Sequence, residues 1–283
     1  MAKSDLPAIL RVEAVGERRY RVAHPVDDPE KRNVVFSGQL LGQMIMAADQ
    51  AGGGDKEVKS IHAIFARAGR YDAPIELEVD GMHAGRAWAS DTITASQGKR
   101  LLSRGLVLLN SDEPDLIRHA VAMPVVPAPG DLDPDPGNFF FPDTELRTVG
   151  EPTGTPIVGA PVLHTWLRHA RSYESIAAHQ ASLAWCEPGL LIGLSMRPHA
   201  EVVSLEDAHR TVSTGVIAHT AHFHERFDVG DWLLISQQST YAGRGRVHGV
   251  GSVFARDGRL VATFEQDAMV RGVDHTLDPS RSM

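Results

Sequence analysis

Three histidines close together, His219, His222 and His224, and a single cysteine, Cys186, are the side chains of this chain most plainly able to hold a metal or attack a carbonyl. On a strand successive side chains alternate between faces, so His222 and His224 share one face and His219 points to the other. Three convergent ligands are therefore not offered, and the histidines read as structural, with no metal expected. A thiol is chemically able to accept an acyl group. Cys186 has no activating base near it in sequence, and a lone cysteine more often fills a core as a small apolar residue. The arginines of Gly85-Arg86 and Gly243-Arg244 carry forks that suit phosphate oxygens, but both pairs look like hairpin turns, where an arginine is normally solvated. Gly52-Gly53-Gly54 follows a helical pattern where a phosphate cradle would precede one.

The elements that must position these residues occur twice. His83-Ala84-Gly85-Arg86-Ala87-Trp88 ahead of Gly98-Lys99-Arg100 is answered by Tyr241-Ala242-Gly243-Arg244-Gly245-Arg246 ahead of Asp257-Gly258-Arg259. Upstream, Ile61-His62-Ala63-Ile64-Phe65 is echoed by His219-Thr220-Ala221-His222-Phe223. A repeat of this length predicts two fused copies of one supersecondary unit. In the first copy Ile9 to Ala23 alternates as an opening strand, and Leu40, Leu41, Met44, Ile45 and Ala48 recur at helical spacing between Phe36 and Gln50. Four strands follow, over Val58 to Ala66, Ile75 to Val79, Trp88 to Ser96 and Leu101 to Leu109. The second copy predicts a strand over Val162 to Ala170 and a helix over Tyr173 to Cys186 that Pro188-Gly189 stops. Its remaining strands run over Val212 to Phe223, Trp232 to Tyr241, Val247 to Arg256 and Leu260 to Val270. The domain boundaries that result are 8–125 and 161–273 for the repeats, 126–160 for a linker rich in Pro, Asp and Gly, and 274–283 for a tail. The class is α+β.

Composition narrows the partners. With 283 residues, 42% hydrophobic and 23% charged, the chain reads as a soluble globular protein, without the run of about 18 apolar residues that a membrane helix needs. A net charge of −8 disfavours nucleic acid, because phosphate backbones are bound by clustered Lys and Arg. One cysteine permits no internal disulfide and fits a reducing compartment, and Met1 to Leu10 lacks the apolar region of a secretory signal, so the expected location is the cytoplasm.

Val35-Phe36-Ser37-Gly38-Gln39-Leu40-Leu41-Gly42-Gln43 resembles the V-F-G-G-Q-x-x-G-Q signature of the type II acyl-CoA thioesterases, the family of bacterial thioesterase II and the peroxisomal acyl-CoA thioesterases. Ser60-Ile61-His62-Ala63-Ile64-Phe65 with Gly69, His179-Gln180, Phe223-His224-Glu225-Arg226-Phe227, Asp231-Trp232-Leu233-Leu234 and Gln266-Asp267 fall in order at compatible spacing. The resemblance implies a double hotdog, in which a long helix lies across a curved antiparallel sheet in each repeat. It also implies hydrolysis of acyl-CoA to a fatty acid and CoA without metal or redox cofactor, and a homo-oligomer, taken as a dimer. The family places an Asp, a Ser or Thr, and a Gln of the second repeat around the attacking water.

This sequence departs from that pattern. Gapless threading puts Pro188 at the Asp position and Val216 at the Ser/Thr position, and only Gln266 matches. An amide does not deprotonate water near neutral pH. Glu187, one residue from the missing Asp, is the substitute base, against the alternative of a solvated carboxylate at a helix end. Ser213 and Thr214 are candidates for the lost hydroxyl if the strand register slips, and His62 for a residue lining the acyl-CoA cleft. The first copy presents Ala47 opposite Pro188 and reads as scaffold. The competing expectation is an acyl-CoA or lipid-binding hotdog protein without catalysis. Hydratase chemistry ranks lower, since no Asp and His pair stands on a helix.

Overall fold

The computed structural model describes residues 7–22, 33–135, 143–152, 157–203 and 211–272. The expected tail at 274–283 lies outside these. Among the described residues twelve strands form one antiparallel sheet. The first repeat supplies β1 (Glu13–Gly16), β2 (Arg19–Val22), helix α1 (Ser37–Gly52), then β3 (Glu57–Phe65), β4 (Ile75–Ala84), β5 (Trp88–Gln97) and β6 (Arg100–Asn110). The second supplies β7 (Thr144–Thr148), β8 (Val162–His169), helices α2 (Ile176–Cys186) and α3 (Pro188–Met196), then β9 (Val212–Phe223), β10 (Leu233–Gly243), β11 (Arg246–Ala255) and β12 (Leu260–Gly272).

In space the strands run β1-β2-β4-β5-β6-β3-β9-β12-β11-β10-β8-β7. Read from either end, this is the same order of equivalent strands, so the sequence repeat becomes a two-fold relation about the β3–β9 pair. His62 lies opposite Thr220 across that junction, and Ser60 opposite His222.

The helices occupy one face of the sheet and meet each other along glycines. A Cβ on Gly38 would stand 2.2 Å from the Trp185 carbonyl oxygen, and one on Gly42 would stand 2.8 Å from that of Ala181. Those spacings pair residues four apart on α1 with residues four apart on α2 in the reverse direction, so the helices are antiparallel and nearly in backbone contact. The glycines of the V-F-S-G-Q-L-L-G-Q stretch are thus explained by packing. Its glutamines tie the helix down, Gln43 Nε2 donating to the Ile9 carbonyl at 2.8 Å. In the second repeat Gln180, which corresponds to Gln39, donates from Nε2 to the Val58 carbonyl at 2.8 Å. Every residue of α1 from Gly38 to Ala48 is buried, as expected of a helix wrapped by sheet and by a second helix.

Three elements differ from the sequence expectations. The opening strand over Ile9 to Ala23 is a 3-10 turn at Ala8–Leu10 followed by a β1–β2 hairpin, whose turn residue Arg18 has φ 50°. Arg18 reaches the Val79 and Ala51 carbonyls and the Asp91 carboxylate, which fixes the turn. The linker drawn at 126–160 contains β7, an edge strand paired with β8, held by Arg147 on the Pro129 and Leu132 carbonyls and by Thr148 on Asp135. Pro188 interrupts the second helix without ending it: α2 stops at Cys186 and α3 starts at Pro188 itself.

Candidate active site

That interruption creates the site. Ser175 caps α2 by accepting from the Ala178 N–H. The helix then runs to Glu187, whose own backbone is helical (φ −53°, ψ −45°) and whose N–H still donates to the Leu183 carbonyl at 3.1 Å. Proline has no N–H but suits a first helical turn, so the hydrogen-bond ladder breaks at Pro188 while the chain stays helical. Glu187 sits at this break with its carboxyl turned inward and is 1% exposed.

Opposite it, β9 and β12 pair so that His219 faces Gln266. His219 Nδ1 lies 3.1 Å from Gln266 Oε1, and His219 Nε2 lies 3.1 Å from Glu187 Oε2. Because Gln266 Oε1 can only accept, Nδ1 carries a proton. The Nε2 contact then holds one further proton, either on the imidazole donating to a carboxylate or on the carboxyl donating to the ring. Burial pushes the affinity of Glu187 for protons up, while the hydrogen bond and charge of His219 and the charge of His222 oppose the shift. The Phe264 ring stacks on His219 with centroids 5.6 Å apart. Glu187 Oε1 and Gln266 Nε2 remain buried without a hydrogen-bond partner. A carboxyl whose affinity for protons is raised by burial, an amide donor and a free carboxyl oxygen are therefore gathered at one place.

Comparison with known proteins decides what this arrangement belongs to. The family model described as "Acyl-CoA thioesterase C-terminal domain" matches residues 121–270. The chain belongs to the acyl-CoA thioesterase family. It is 26% identical over 292 residues to acyl-coenzyme A thioesterase 8 of Mus musculus, covering 93% of this chain and 88% of that protein. It is 27% identical over 257 residues to acyl-CoA thioesterase 2 of Haemophilus influenzae, covering 84% and 87%. Among solved structures, the acyl-CoA thioesterase II TesB2 of Mycobacterium marinum superimposes with a TM-score of 0.79 at 25% identity, covering 94% of this chain and 98% of that one. A hot dog fold protein of Alicyclobacillus acidocaldarius superimposes with a TM-score of 0.77 at 18% identity, which concerns the fold alone. The α+β double hotdog follows.

In this member of the acyl-CoA thioesterase family, Glu187 and Gln266 share one buried cluster, and the residue that joins them is His219. Sequence reasoning took His219 as structural. The signal available was the same alternation that separated it from His222 and His224, since it set His219 alone on the face where Gln266 pairs. Pro188 is buried at the start of α3, and Val216 lies opposite Ala268 beside a bulge. Ser213 and Thr214 pair with Arg271 and Val270. They lie five or more residues from His219, roughly 16 Å along an extended strand, so they are not brought to the cluster. His62 is exposed on the opposite face of the sheet, where its Nδ1 meets Thr220 Oγ1 at 2.6 Å.

Cys186 is buried, and burial together with the Glu187 charge keeps its thiol well above the usual 9.0. His169 Nε2 lies 3.5 Å from its sulfur, and burial lowers that imidazole to about 4. Such a pair does not generate a thiolate at neutral pH. Among the described residues no cluster of three or more His, Cys, Asp or Glu is arranged to hold a metal, and no helix is long and apolar enough to cross a membrane. Arg86 and Arg244 are exposed turn residues. Two surface clefts, of about 520 and 510 Å³, lie around His222, Ser252 and Thr263 and around Val58, Gln180 and Arg226. Neither is lined by Glu187, His219 or Gln266.

Proposed function

We propose that the chain hydrolyses acyl-CoA thioesters to a free fatty acid and CoA, with water as the nucleophile and Glu187 as its base. The observation that carries this reading is the buried chain of contacts Glu187–His219–Gln266, which leaves Glu187 Oε1 and Gln266 Nε2 free for a substrate or water. In the proposed step the Glu187 carboxylate takes a proton from water as the oxygen bonds to the thioester carbon. The Gln266 amide donates to the oxygen that gains negative charge. The carbon–sulfur bond then breaks, and the CoA thiolate leaves with the proton returned from Glu187. His219 holds both partners in line and stabilises the carboxylate form. A base held above the ordinary carboxylate range and a donor already in place each reduce the barrier.

Purified protein assayed for thiol release from acyl-CoAs of graded chain length tests the proposal. Turnover that is lost in Glu187→Gln is the expected result. If the wild type turns over none of the substrates yet binds a non-hydrolysable acyl-CoA, the protein is a binding protein and the enzymatic reading is wrong.

A further inference from the structure

The two-fold relation of the repeats is broken at a hydrogen bond. In the first repeat the Tyr71 hydroxyl donates to Gln39 Oε1 at 3.4 Å. Gln39 corresponds to Gln180, and Arg70-Tyr71-Asp72 to Arg226-Phe227-Asp228. The second repeat therefore carries a phenyl ring where the first has a phenol, and Gln180 Oε1 is left buried without a hydrogen-bond partner. An unmet acceptor on a side chain only 4% exposed costs free energy, and such groups normally find partners. Gln180 and Phe227 both line the surface cleft of about 510 Å³ beside the start of α2, so a molecule seated there can supply the missing donor.

The same cleft holds a donor. β3 has a bulge between Val58 and Ser60, at Lys59, and bulges re-aim side chains. Lys59 lines the cleft and gives one of the three donors of its ammonium to the Phe223 carbonyl, at 2.7 Å. The arginines around it are already paired, Arg226 with Glu57, Arg118 with Asp115 and Glu225, and Arg259 with Asp257. An acceptor and a donor in one cleft, among charges neutralised in pairs, suit a secondary amide, whose N–H meets Gln180 Oε1 and whose carbonyl meets Lys59 Nζ. A carboxylate or phosphate would satisfy Lys59 alone and leave Gln180 Oε1 facing another acceptor.

Hydrolysis is not offered at this end of the molecule. The correspondence of Gln39 with Gln180 places Glu187 at Met46, and the sequence echo places His219 at Ile61. Gln266, which pairs with His219, is answered by Val107, which pairs with Ile61. Met46, Ile61 and Val107 are all buried and apolar. The helix contacts of Gly38 with Trp185 and Gly42 with Ala181 continue, four residues on, to Met46 beside Ala177, next to Ile176 of the cleft.

We propose that this cleft is a second, non-hydrolytic binding site, which holds the pantetheine arm of CoA by one of its amides. The site itself follows from Gln180, Lys59 and Phe227, and the choice of CoA over another amide rests on the thioesterase reading above. The arm is uncharged and rich in amides, as the cleft requires. The nucleotide and its phosphates stay outside, in solvent, because the arginines of the cleft are taken by carboxylates.

Equilibrium dialysis of the full chain against labelled CoA tests the proposal. Phe227→Tyr gives Gln180 the hydroxyl that Tyr71 gives Gln39, so the wild type should bind one CoA more per chain than this variant. Without ligand the variant should melt roughly 2–4 °C higher, since it satisfies a buried acceptor. Lys59→Met leaves Gln180 open and should weaken the additional CoA by about tenfold or more; it decides the matter if Phe227→Tyr does not fold. Unlabelled pantetheine should displace the additional CoA, and ADP should not. Equal binding by wild type and Phe227→Tyr overturns the inference, as does an affinity unchanged in Lys59→Met. Displacement by ADP but not by pantetheine overturns it too, because binding would then be through the nucleotide. A wild type that releases no thiol from any acyl-CoA yet binds the additional CoA sinks the thioesterase reading and leaves this site standing.

Discussion

His219 Nε2 lies 3.1 Å from Glu187 Oε2, with both side chains fully shut off from solvent. Neither residue occupies a position at which the family resemblance placed a base, yet the break at Pro188 and the β9–β12 register bring them together. A carboxyl buried beside an imidazole is stabilised as an ion only through that partner, because desolvation otherwise keeps it protonated. The charged form of Glu187 therefore depends on the hydrogen bond and charge of His219.

Replacing Glu187 by Gln keeps the size of the side chain and its hydrogen bond to His219 but removes the base. Thiol release should fall about 10²–10⁴-fold in kcat with little change in KM. Steady-state kinetics check this, and a variant with wild-type kcat would remove Glu187 from the reaction.

The acid limb of the pH–rate profile should lie above the ordinary 4.5 of a glutamate, since burial raises Glu187. Stability carries the same sign. A carboxyl whose affinity for protons is raised by folding contributes fully below pH 4.5 and loses that contribution as pH rises through its folded value. Denaturation midpoints of wild type and Glu187→Gln should accordingly diverge in favour of the variant as pH increases from 4.5 upward. Parallel curves would show that Glu187 is not shifted.

His219→Gln removes the hydrogen bond and the larger of the two charge interactions that oppose the upward shift of Glu187. The acid limb should move to still higher pH, and the variant should lose stability at neutral pH, where a buried carboxylate without its partner is costly, by about 3–5 kcal/mol at most. In the Glu187→Gln background the His219→Gln change should cost less stability than it does in the wild type, which a double-mutant cycle measures. Additive losses would mean that the pair is not coupled.

Cys186 should be silent. Its thiol is buried and held protonated, and His169, lowered to about 4, does not activate it. Alkylating reagents should leave the native protein unmodified, and Cys186→Ala should retain most of its turnover. Burst kinetics with a trapped acyl-cysteine would contradict this.

How much of this was legible beforehand depended on the physical origin of each feature. Strands β3 to β6 and β9 to β12 follow from local alternation, and β9 spans the residues expected of it, Val212–Phe223. Strand β7 was hidden because it earns its place through Arg147, Thr148 and Asp135 docking in the folded state, in a stretch whose Pro and Asp read as loop. α3 was hidden because proline marks both the end of one helix and the first turn of the next. Glu187 and Gln266 were nameable from the resemblance. Their junction through His219 was not, because it depends on the pairing of two strands 47 residues apart and on a helix break.

The glycines of α1 provide a test of the fold that does not touch the chemistry. Gly38 and Gly42 face the carbonyls of Trp185 and Ala181, with 2.2 and 2.8 Å available to a Cβ. A methyl group at Gly38 meets backbone, which cannot turn aside as a side chain can, so α1 and α2 must separate. The gain in helix propensity from Gly to Ala is up to about 1 kcal/mol, and overpacking costs about 1–3 kcal/mol. Gly38→Ala should therefore be destabilising on balance, and Gly52→Ala should not, because at Gly52 the nearest atom is the Leu109 side chain at 3.5 Å. Thermal denaturation of the two variants compares the costs directly. Since α2 leads into Glu187, Gly38→Ala should also lower kcat in the fraction that remains folded. A Gly38→Ala protein as stable as Gly52→Ala would show that the helices do not approach along these glycines.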